Sequence, residues 1–214
     1  MMRADTMTQT AATKVWTLGI PDDEFFQRKP LAGLITKCEV RVVALSKLCI
    51  RPDSVVWDIG AGSGSVGIEA AMLAPRGRVF AIEKNTEDSE IIQQNIFKFS
   101  MLNVLAIQGN APDGTEAWPD PDAIFVGGSG GRMAAIVATA AQRLRPHGRI
   151  VIDAATIENL YESVRLLKEH GFAVNITLVQ VSRSKPILDL TRFVALNPVY
   201  VITGSRDAKV AAEE

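Results

Sequence analysis

Apolar runs of strand length alternate with amphipathic helical segments along most of the chain. The run Val55–Trp57, closed by Asp58, is followed by a glycine turn and then by a helical segment, Ser65–Leu73. Helical segments also follow the apolar runs at 78–83, 123–126 and 149–153, and a further apolar run lies at 104–107. Because strands that alternate with helices pair in parallel, this pattern predicts an α/β fold with a doubly wound sheet.

The pattern changes after the helix predicted for 156–170. Residues 172–178 alternate between apolar and polar side chains, which predicts a half-buried strand. Ser182–Pro186 breaks the pattern, and 193–202 predicts a final strand with a bend at Asn197–Pro198. No helix separates these last two strands, so we expect them to pair as an antiparallel hairpin that completes a seven-stranded sheet.

Length and composition indicate one globular domain. The 214 residues are 47% hydrophobic with a formal net charge of −1, and we place the domain at 15–204 between polar tails at 1–14 and 205–214. The near-neutral charge does not favour a nucleic-acid partner. The two cysteines, Cys38 and Cys49, have no clustered histidines, so we expect no disulfide framework and no metal site.

No apolar run reaches the roughly 18 residues of a membrane span. The N-terminus also lacks an apolar signal core. We therefore expect a cytoplasmic protein with no membrane partner.

The glycine turn after the first strand is the strongest chemical signal. Asp58-Ile59-Gly60-Ala61-Gly62-Ser63-Gly64 resembles the D-x-G-x-G-x-G loop of methyltransferases that use S-adenosylmethionine (AdoMet). A dinucleotide fingerprint, G-x-G-x-x-G, is also satisfied, but it is less specific because it fixes no acid. Glycines let a ligand approach the backbone, and the following helix offers unpaired N–H groups. The AdoMet resemblance implies cofactor binding by Asp58, Gly60, Ala61, Gly62, Ser63 and Gly64.

Polar groups at the ends of the next two strands extend this site. Glu83 ends the second strand about 20 residues after the glycines, where an acid binds the ribose hydroxyls of a nucleotide. Asn110 and Ala111 follow the third strand, where methyltransferases commonly contact adenine. An acid is frequent at the position of Asn110, whose amide can also hydrogen-bond to a base. We expect these groups to meet the glycine turn at the carboxyl edge of the sheet.

A second glycine-rich loop follows the fourth strand. It consists of Gly127, Gly128, Ser129, Gly130 and Gly131. Such a loop lets a large flat ligand approach the backbone, or it is a hinge that binds nothing. It is not a P-loop, because no Gly-Lys-Ser/Thr follows.

The segment before the first strand carries a third candidate block. Thr36 and Glu39 have capping-box spacing at the start of a predicted helix. Lys37 and Arg41 are four residues apart, so they share a helical face on which like charges repel. Either an anionic ligand or ordinary solvation relieves that repulsion.

Four blocks of the chain together resemble the CbiT family of corrin-pathway methyltransferases, which also forms the C-terminal half of the fused enzyme CobL. The blocks lie at 19–25, 36–41, 57–65 and 123–131. The resemblance covers roughly 15–203 and implies the Rossmann-like, seven-stranded sheet of class I AdoMet-dependent methyltransferases. It implies a stand-alone enzyme or an excised C-terminal half, with an N-terminal methyltransferase domain as a covalent or non-covalent partner. The Met-Met-Arg start favours excision.

The same resemblance implies an activity and a substrate. The activity is AdoMet-dependent methylation of carbon 15 of a precorrin in cobalamin biosynthesis, with loss of carbon dioxide from the acetate on carbon 12. Thr36 is implied as a further AdoMet contact, and the glycine-rich loop as the slot for the macrocycle. The carboxylates of the substrate imply a rim of cations. Candidates are Lys29, Lys37, Arg41, Arg132, Arg183 and Lys185. No residue is identified as catalytic.

The family resemblance also implies a homo-oligomer, with a tetramer favoured and the apolar hairpin strands as candidate interface. Two other functions stay open from the residues alone. One is an RNA methyltransferase of the same fold, against which the near-neutral charge argues. The other is a non-catalytic nucleotide-binding module, which would use the same glycine turn and Glu83. Because a fold does not decide a function, the family-specific blocks favour the precorrin enzyme.

Overall fold

The computed structural model describes residues 16–28 and 35–206. A short 3-10 helix, Asp22–Glu24, precedes the main elements. The helices are α1 Cys38–Leu48, α2 Ser65–Leu73, α3 Thr86–Lys98, α4 Met133–Arg143 and α5 Ile157–Glu169. The strands are β1 Val55–Ile59, β2 Arg78–Glu83, β3 Val104–Gln108, β4 Ala123–Val126, β5 Arg149–Ala154, β6 Ala173–Val179, β7 Ser182–Ile187, β8 Leu190–Ala195 and β9 Val199–Ser205.

Seven of the strands form one sheet in the order β3-β2-β1-β4-β5-β9-β6. The first five in that order are parallel, and β9 runs antiparallel between β5 and β6. The predicted fold, a doubly wound α/β sheet with an antiparallel C-terminal pair, is therefore confirmed. The strand order reverses between β1 and β4, so a crevice opens at the carboxyl ends of these two strands, where such sheets bind ligands.

The C-terminal strands differ from the prediction in two respects. Residues 182–195 form a separate antiparallel hairpin, β7 and β8, where the sequence indicated a break and the start of the last strand. A glycine is the usual sequence signal of a two-residue hairpin turn, and the turn residues here, Leu188 and Asp189, include none. The hairpin was therefore not predicted. The last strand of the large sheet begins only at Val199 and includes Ser205, which pairs with Arg149 and so does not belong to a tail.

Helices cover both faces of the large sheet. On one face, Trp57 of β1 packs edge-on against Trp118 at a ring-centroid distance of 5.4 Å, beneath apolar side chains of α4 and α5. On the other face, Val56 and Phe125 pack against α1 and α2. Because neighbouring residues of a strand point to opposite faces, the continuous apolar runs of β1 and β4 serve both cores.

The start of α1 differs from the predicted capping box. The helix begins at Cys38, whose N–H donates to Asp22 Oδ1 over 2.9 Å, and Thr36 lies outside it. Glu39 instead accepts hydrogen bonds from the Arg183 guanidinium. A carboxylate 16 residues upstream therefore satisfies the first N–H of the helix, which local spacing does not reveal.

None of the helices within residues 16–28 and 35–206 combines the length and the apolar character that a membrane crossing requires.

Candidate active site

The glycine turn between β1 and α2 is held from beneath by Asp58. Asp58 Oδ2 accepts a hydrogen bond from Gly67 N over 2.8 Å, and the side chain is buried. Burial raises the pKa of Asp58 to about 7, against the lowering effect of the Gly67 hydrogen bond. The Asp58 carboxyl group therefore connects β1 to the first turn of α2, and it lies behind the loop rather than in the wall of a cavity.

The two glycine loops meet at Gly60 and Gly128. A Cβ atom on Gly60 would lie 2.2 Å from Gly128 O, and the Gly60 φ of +67° is one that other residues rarely adopt. At Gly128, by contrast, a Cβ atom would meet no atom within 4 Å. Gly60 is thus required for contact between the loops, whereas the outward side of Gly128 is open to a ligand.

Glu83 ends β2 beside the first loop. Its Oε2 accepts from Gly62 N and its Oε1 accepts from Asn85 N, each over 3.0 Å. An ionised carboxylate has about four acceptor positions, so this geometry leaves capacity for two hydroxyl donors. The Glu83 carboxylate is therefore oriented by the backbone on either side, at the edge of the cavity described next.

A cavity of about 730 Å³ opens at the carboxyl ends of the parallel strands. Twelve of the residues predicted as cofactor or substrate contacts line it: Thr36, Lys37, Gly60, Ala61, Gly62, Glu83, Asn110, Ala111, Gly127, Gly128, Ser129 and Gly130. The structure thus brings together the ends of four strands, β1 to β4, and the segment before α1. Two backbone loops, an oriented acid and an amide fit a nucleoside-type cofactor beside a flat partner molecule.

The remaining predicted cofactor residues support the loop from outside the cavity wall. Ser63 is buried. Gly64 is the N-cap residue of α2 and has a φ of +75°, and a Cβ atom on it would lie 3.0 Å from Ile92 Cγ2. Gly131, predicted to contact the substrate, also lies beyond the residues that line the cavity.

The prediction that Arg41 contacts the substrate is wrong. Its side chain has no solvent exposure, and its Nε lies 2.7 Å from Glu69 Oε1. An ion pair within the protein, and neither an anionic ligand nor solvation, offsets its charge. Arg41 lies outside the apolar stripe of α1, so the sequence suggested an exposed position for it. In the structure α2 covers the face of α1 that carries Arg41, and the sequence does not show this packing.

The other predicted rim cations have different environments. Arg132 binds both carboxylate oxygens of Asp113, at 2.6 and 3.0 Å, which raises the pKa of Arg132. Arg183 lies 2.5 Å from a Glu39 oxygen and 2.9 Å from an Asp22 oxygen. Lys185 lies on β7, outside the cavity wall, and Lys29 lies outside the described residues.

Several residues that line the cavity were not identified from the sequence. Lys84 directly follows Glu83, and its Nζ would lie 3.3 Å from a Cβ atom on Gly130. Asn159 and Asp153 come from the β5–α5 region, and Asn197, interpreted above only as a bend, also lines the cavity. In the sequence Asp153 follows an apolar run of strand length, just as Asp58 does. This similarity could have identified Asp153 as a candidate site residue.

Comparison with known proteins identifies relatives of this chain. The family model for the precorrin methyltransferase domain matches residues 26–206. The probable cobalt-precorrin-6B C(15)-methyltransferase (decarboxylating) of Pyrobaculum calidifontis is 40% identical over 189 residues, which are 87% of this chain and 95% of that protein.

Solved structures agree with this similarity. A precorrin-6Y C5,15-methyltransferase from Geobacter metallireducens is 44% identical, with a TM-score of 0.85 over 90% of this chain and 100% of that one. A precorrin 8w decarboxylase from Methanobacterium thermoautotrophicum is 34% identical, with a TM-score of 0.81 over 86% of this chain and 98% of that one.

Proposed function

Because the chain belongs to the precorrin methyltransferase domain family, we propose that it is an AdoMet-dependent methyltransferase of cobalamin biosynthesis. It methylates carbon 15 of a precorrin and removes carbon dioxide from the acetate on carbon 12. The observation that carries this proposal is the single cavity into which both glycine loops and Glu83 open. Such a cavity accommodates a nucleoside cofactor and a flat substrate side by side.

The first glycine loop and Glu83 form the AdoMet half of the site. Glu83 accepts hydrogen bonds from the ribose hydroxyls, and Asn110 and Ala111 contact the adenine. Gly60, Ala61 and Gly62 expose backbone to the rest of the cofactor, and Thr36 closes the site from the segment before α1. Asp58, Ser63 and Gly64 act indirectly, because they hold the loop in shape.

The second glycine loop forms the substrate half. Gly127, Gly128, Ser129 and Gly130 line the cavity, and the open space above Gly128 permits close approach of a planar ring. Peptide groups without side chains contact the face of the macrocycle, while its carboxylates extend to the rim. Lys37 and Lys84 are the cations that line the cavity itself.

The β7–β8 hairpin supplies further cations for the substrate carboxylates. Lys185 and Arg192 lie directly opposite each other across the hairpin, and like charges in that position destabilise a strand pair. An anionic ligand between them removes this cost. β8 leads directly into Ala195 and Asn197, which line the cavity, so the hairpin stands at its mouth.

Positioning accounts for most of the catalysis of methyl transfer in this proposal. When bound, AdoMet supplies a methyl group that is already activated on a sulfonium. The loops hold the macrocycle against the cofactor, and correct alignment lowers such barriers by roughly 7–11 kcal/mol at best. No nucleophilic side chain is needed, because the electron-rich ring carbon is itself the nucleophile.

The test is a single-turnover assay of the native protein with methyl-labelled AdoMet. Cobalt-precorrin-6B and precorrin-6Y serve as parallel substrates, and methyl transfer and carbon dioxide release are measured separately. Absence of both, in protein that binds S-adenosylhomocysteine, would contradict the proposal. Methylation of added RNA would favour the RNA methyltransferase, and binding of NAD in place of S-adenosylhomocysteine would favour a non-catalytic nucleotide-binding module.

We also propose that the protein is a homo-oligomer, with a tetramer favoured. Large apolar side chains are exposed on the β7–β8 hairpin and on β6, which is an edge strand of the large sheet. They are Ile176, Leu178, Ile187, Leu188, Leu190 and Phe193. A second copy of the chain would remove this surface from water. The cytoplasmic location and the N-terminal partner domain remain predictions.

A further inference from the structure

Asp153 is a carboxylic acid in the cavity wall that the proposed cofactor and substrate contacts do not use. Asp88 also lines the cavity, but it pairs with Arg28. It lies at the carboxyl end of β5, beside the glycine-rich loop that follows β4. Both of its carboxyl oxygens are buried, and neither has a hydrogen-bond partner among the described residues. A buried polar group without a partner is costly, so its retention in a ligand cavity requires a reason.

The position of Asp153 is on the substrate side of the cavity. β5 is two strands away from β1, or about 10 Å at the usual strand spacing. Gly127 and Gly128 lie between Asp153 and the cofactor loop at Gly60, because β4 is the intervening strand. A macrocycle on the glycine-rich loop therefore lies between the cofactor and Asp153.

The surroundings of Asp153 favour its neutral form. Burial raises its pKa to about 8, and no neighbouring charge contributes to the shift. On the same face of the sheet its strand neighbours Val151 and Val201 are buried and apolar. The charged groups that line the same cavity are Lys37, Glu83, Lys84 and Asp88.

We propose that Asp153 is the catalytic acid of the decarboxylation, delivering a proton to the carbon that loses carbon dioxide. This proposal rests on the proposed function. Decarboxylation breaks the bond between the carboxylate and the methylene carbon of the acetate, and the electron pair stays on that carbon and the conjugated ring. The methylene carbon takes the proton of the Asp153 carboxyl group and becomes a methyl group.

The proton count of this step balances without a further reactant. Asp153 is left as a carboxylate after it donates. Methylation of carbon 15 releases one proton from that carbon. One proton is needed to return Asp153 to its neutral form, so release and uptake are equal. A group that is neutral near pH 7 is a suitable donor, because general acids work best with a pKa near the working pH.

The experiment compares Asp153→Asn and Asp153→Glu with the native enzyme in the single-turnover assay. Asp53→Asn is the matched control, because Asp53 is exposed on the loop before β1. For Asp153→Asn we expect formation of the decarboxylated methyl product to fall by about 100-fold or more, the usual contribution of a general acid. Methyl transfer and S-adenosylhomocysteine affinity should be retained, and Asp153→Glu should recover part of the decarboxylation.

The pH profile provides a second readout that a structural role would not produce. In the native enzyme, product formation should decline as the pH rises through about 8, where Asp153 loses its proton. This decline should be absent from the residual activity of Asp153→Asn. Retention of full decarboxylation by Asp153→Asn would overturn the proposal, and so would an equal loss of methyl transfer and decarboxylation. Inactivity of the native protein towards both precorrins would instead remove the proposed function, and this inference with it.

Discussion

Arg41 on α1 and Glu69 on α2 form an ion pair in which neither side chain has any solvent exposure. The pair also organises the segment that precedes α1. Glu69 accepts hydrogen bonds from Gly19 N and Ile20 N, at 2.8 and 2.9 Å, and Arg41 donates to Ile20 O. Arg41, which the sequence suggested as a substrate contact, thus helps to hold the segment at Gly19 and Ile20 against α1 and α2.

Arg41→Met should destabilise the fold without weakening ligand binding. Removal of one partner of a buried pair leaves the other charge uncompensated, so we expect a loss of about 3–5 kcal/mol in the free energy of unfolding, measured by urea denaturation. Arg165→Met is the control, since its exposed i,i+4 pair with Glu169 contributes only about 0.3–0.5 kcal/mol. Unchanged stability with a raised KM for the precorrin would restore Arg41 as a substrate contact.

Glu83→Ala should weaken the binding of S-adenosylhomocysteine. Hydrogen bonds to a charged group contribute about 1.5–3 kcal/mol, so titration calorimetry should show a loss of about 10- to 150-fold in affinity. Glu90→Ala, a matched change at an exposed position of α3, should leave the affinity unchanged. Equal affinities for the Glu83 variant and the native protein would refute the assignment of the ribose to this acid.

Alanine at Gly60 and at Gly128 should have opposite consequences. Gly60→Ala drives a Cβ atom into the Gly128 backbone at a positive φ, so we expect a stability loss of more than about 1 kcal/mol together with loss of cofactor binding. Gly128→Ala meets no protein atom, and it should keep both stability and S-adenosylhomocysteine affinity while raising KM for the precorrin. An unaltered KM in Gly128→Ala would show that the macrocycle does not lie on this loop.

Asp153 should make the fold less stable as the pH rises. Its pKa is raised from 3.8 to about 8 in the folded protein, so its neutral form stabilises the fold fully below pH 4, and this contribution is lost as the pH rises through 8. Asp153→Asn should therefore be more stable than the native protein by up to about 6 kcal/mol at pH 9, given about 1.4 kcal/mol per pKa unit, and the difference should shrink towards pH 4. Denaturation across this pH range measures it, and a pH-independent difference would exclude a buried neutral acid.

Phe193→Asp should reduce the size of the assembly. Phe193 is 74% exposed on the face of the hairpin opposite Lys185 and Arg192, where a second copy of the chain would cover it. Light scattering after size-exclusion chromatography should give a smaller mass for the variant than for the native protein. Leu102→Asp, which places the same charge at another exposed apolar position, is the control. A native protein that is already monomeric at working concentration would contradict the proposed oligomer.

The sequence by itself determined the alternation of strands and helices, the glycine turn and the position of Glu83 at a strand end. These features depend on residues close together in the chain, where hydrophobic period and glycine content report local structure directly. The family of the chain also followed from such local blocks, and the comparisons confirm it.

Only the tertiary structure decided which charged groups are buried and which face the cavity. The partner of Arg41 is 28 residues away and that of Arg183 is 144 residues away, so no local spacing indicates either pair. Asp58 and Asp153 both end apolar strands, yet one lies under a loop and the other lines the cavity. The difference arises from the strand order, because it places β5 beside the second glycine loop, and strand order depends on contacts between distant segments.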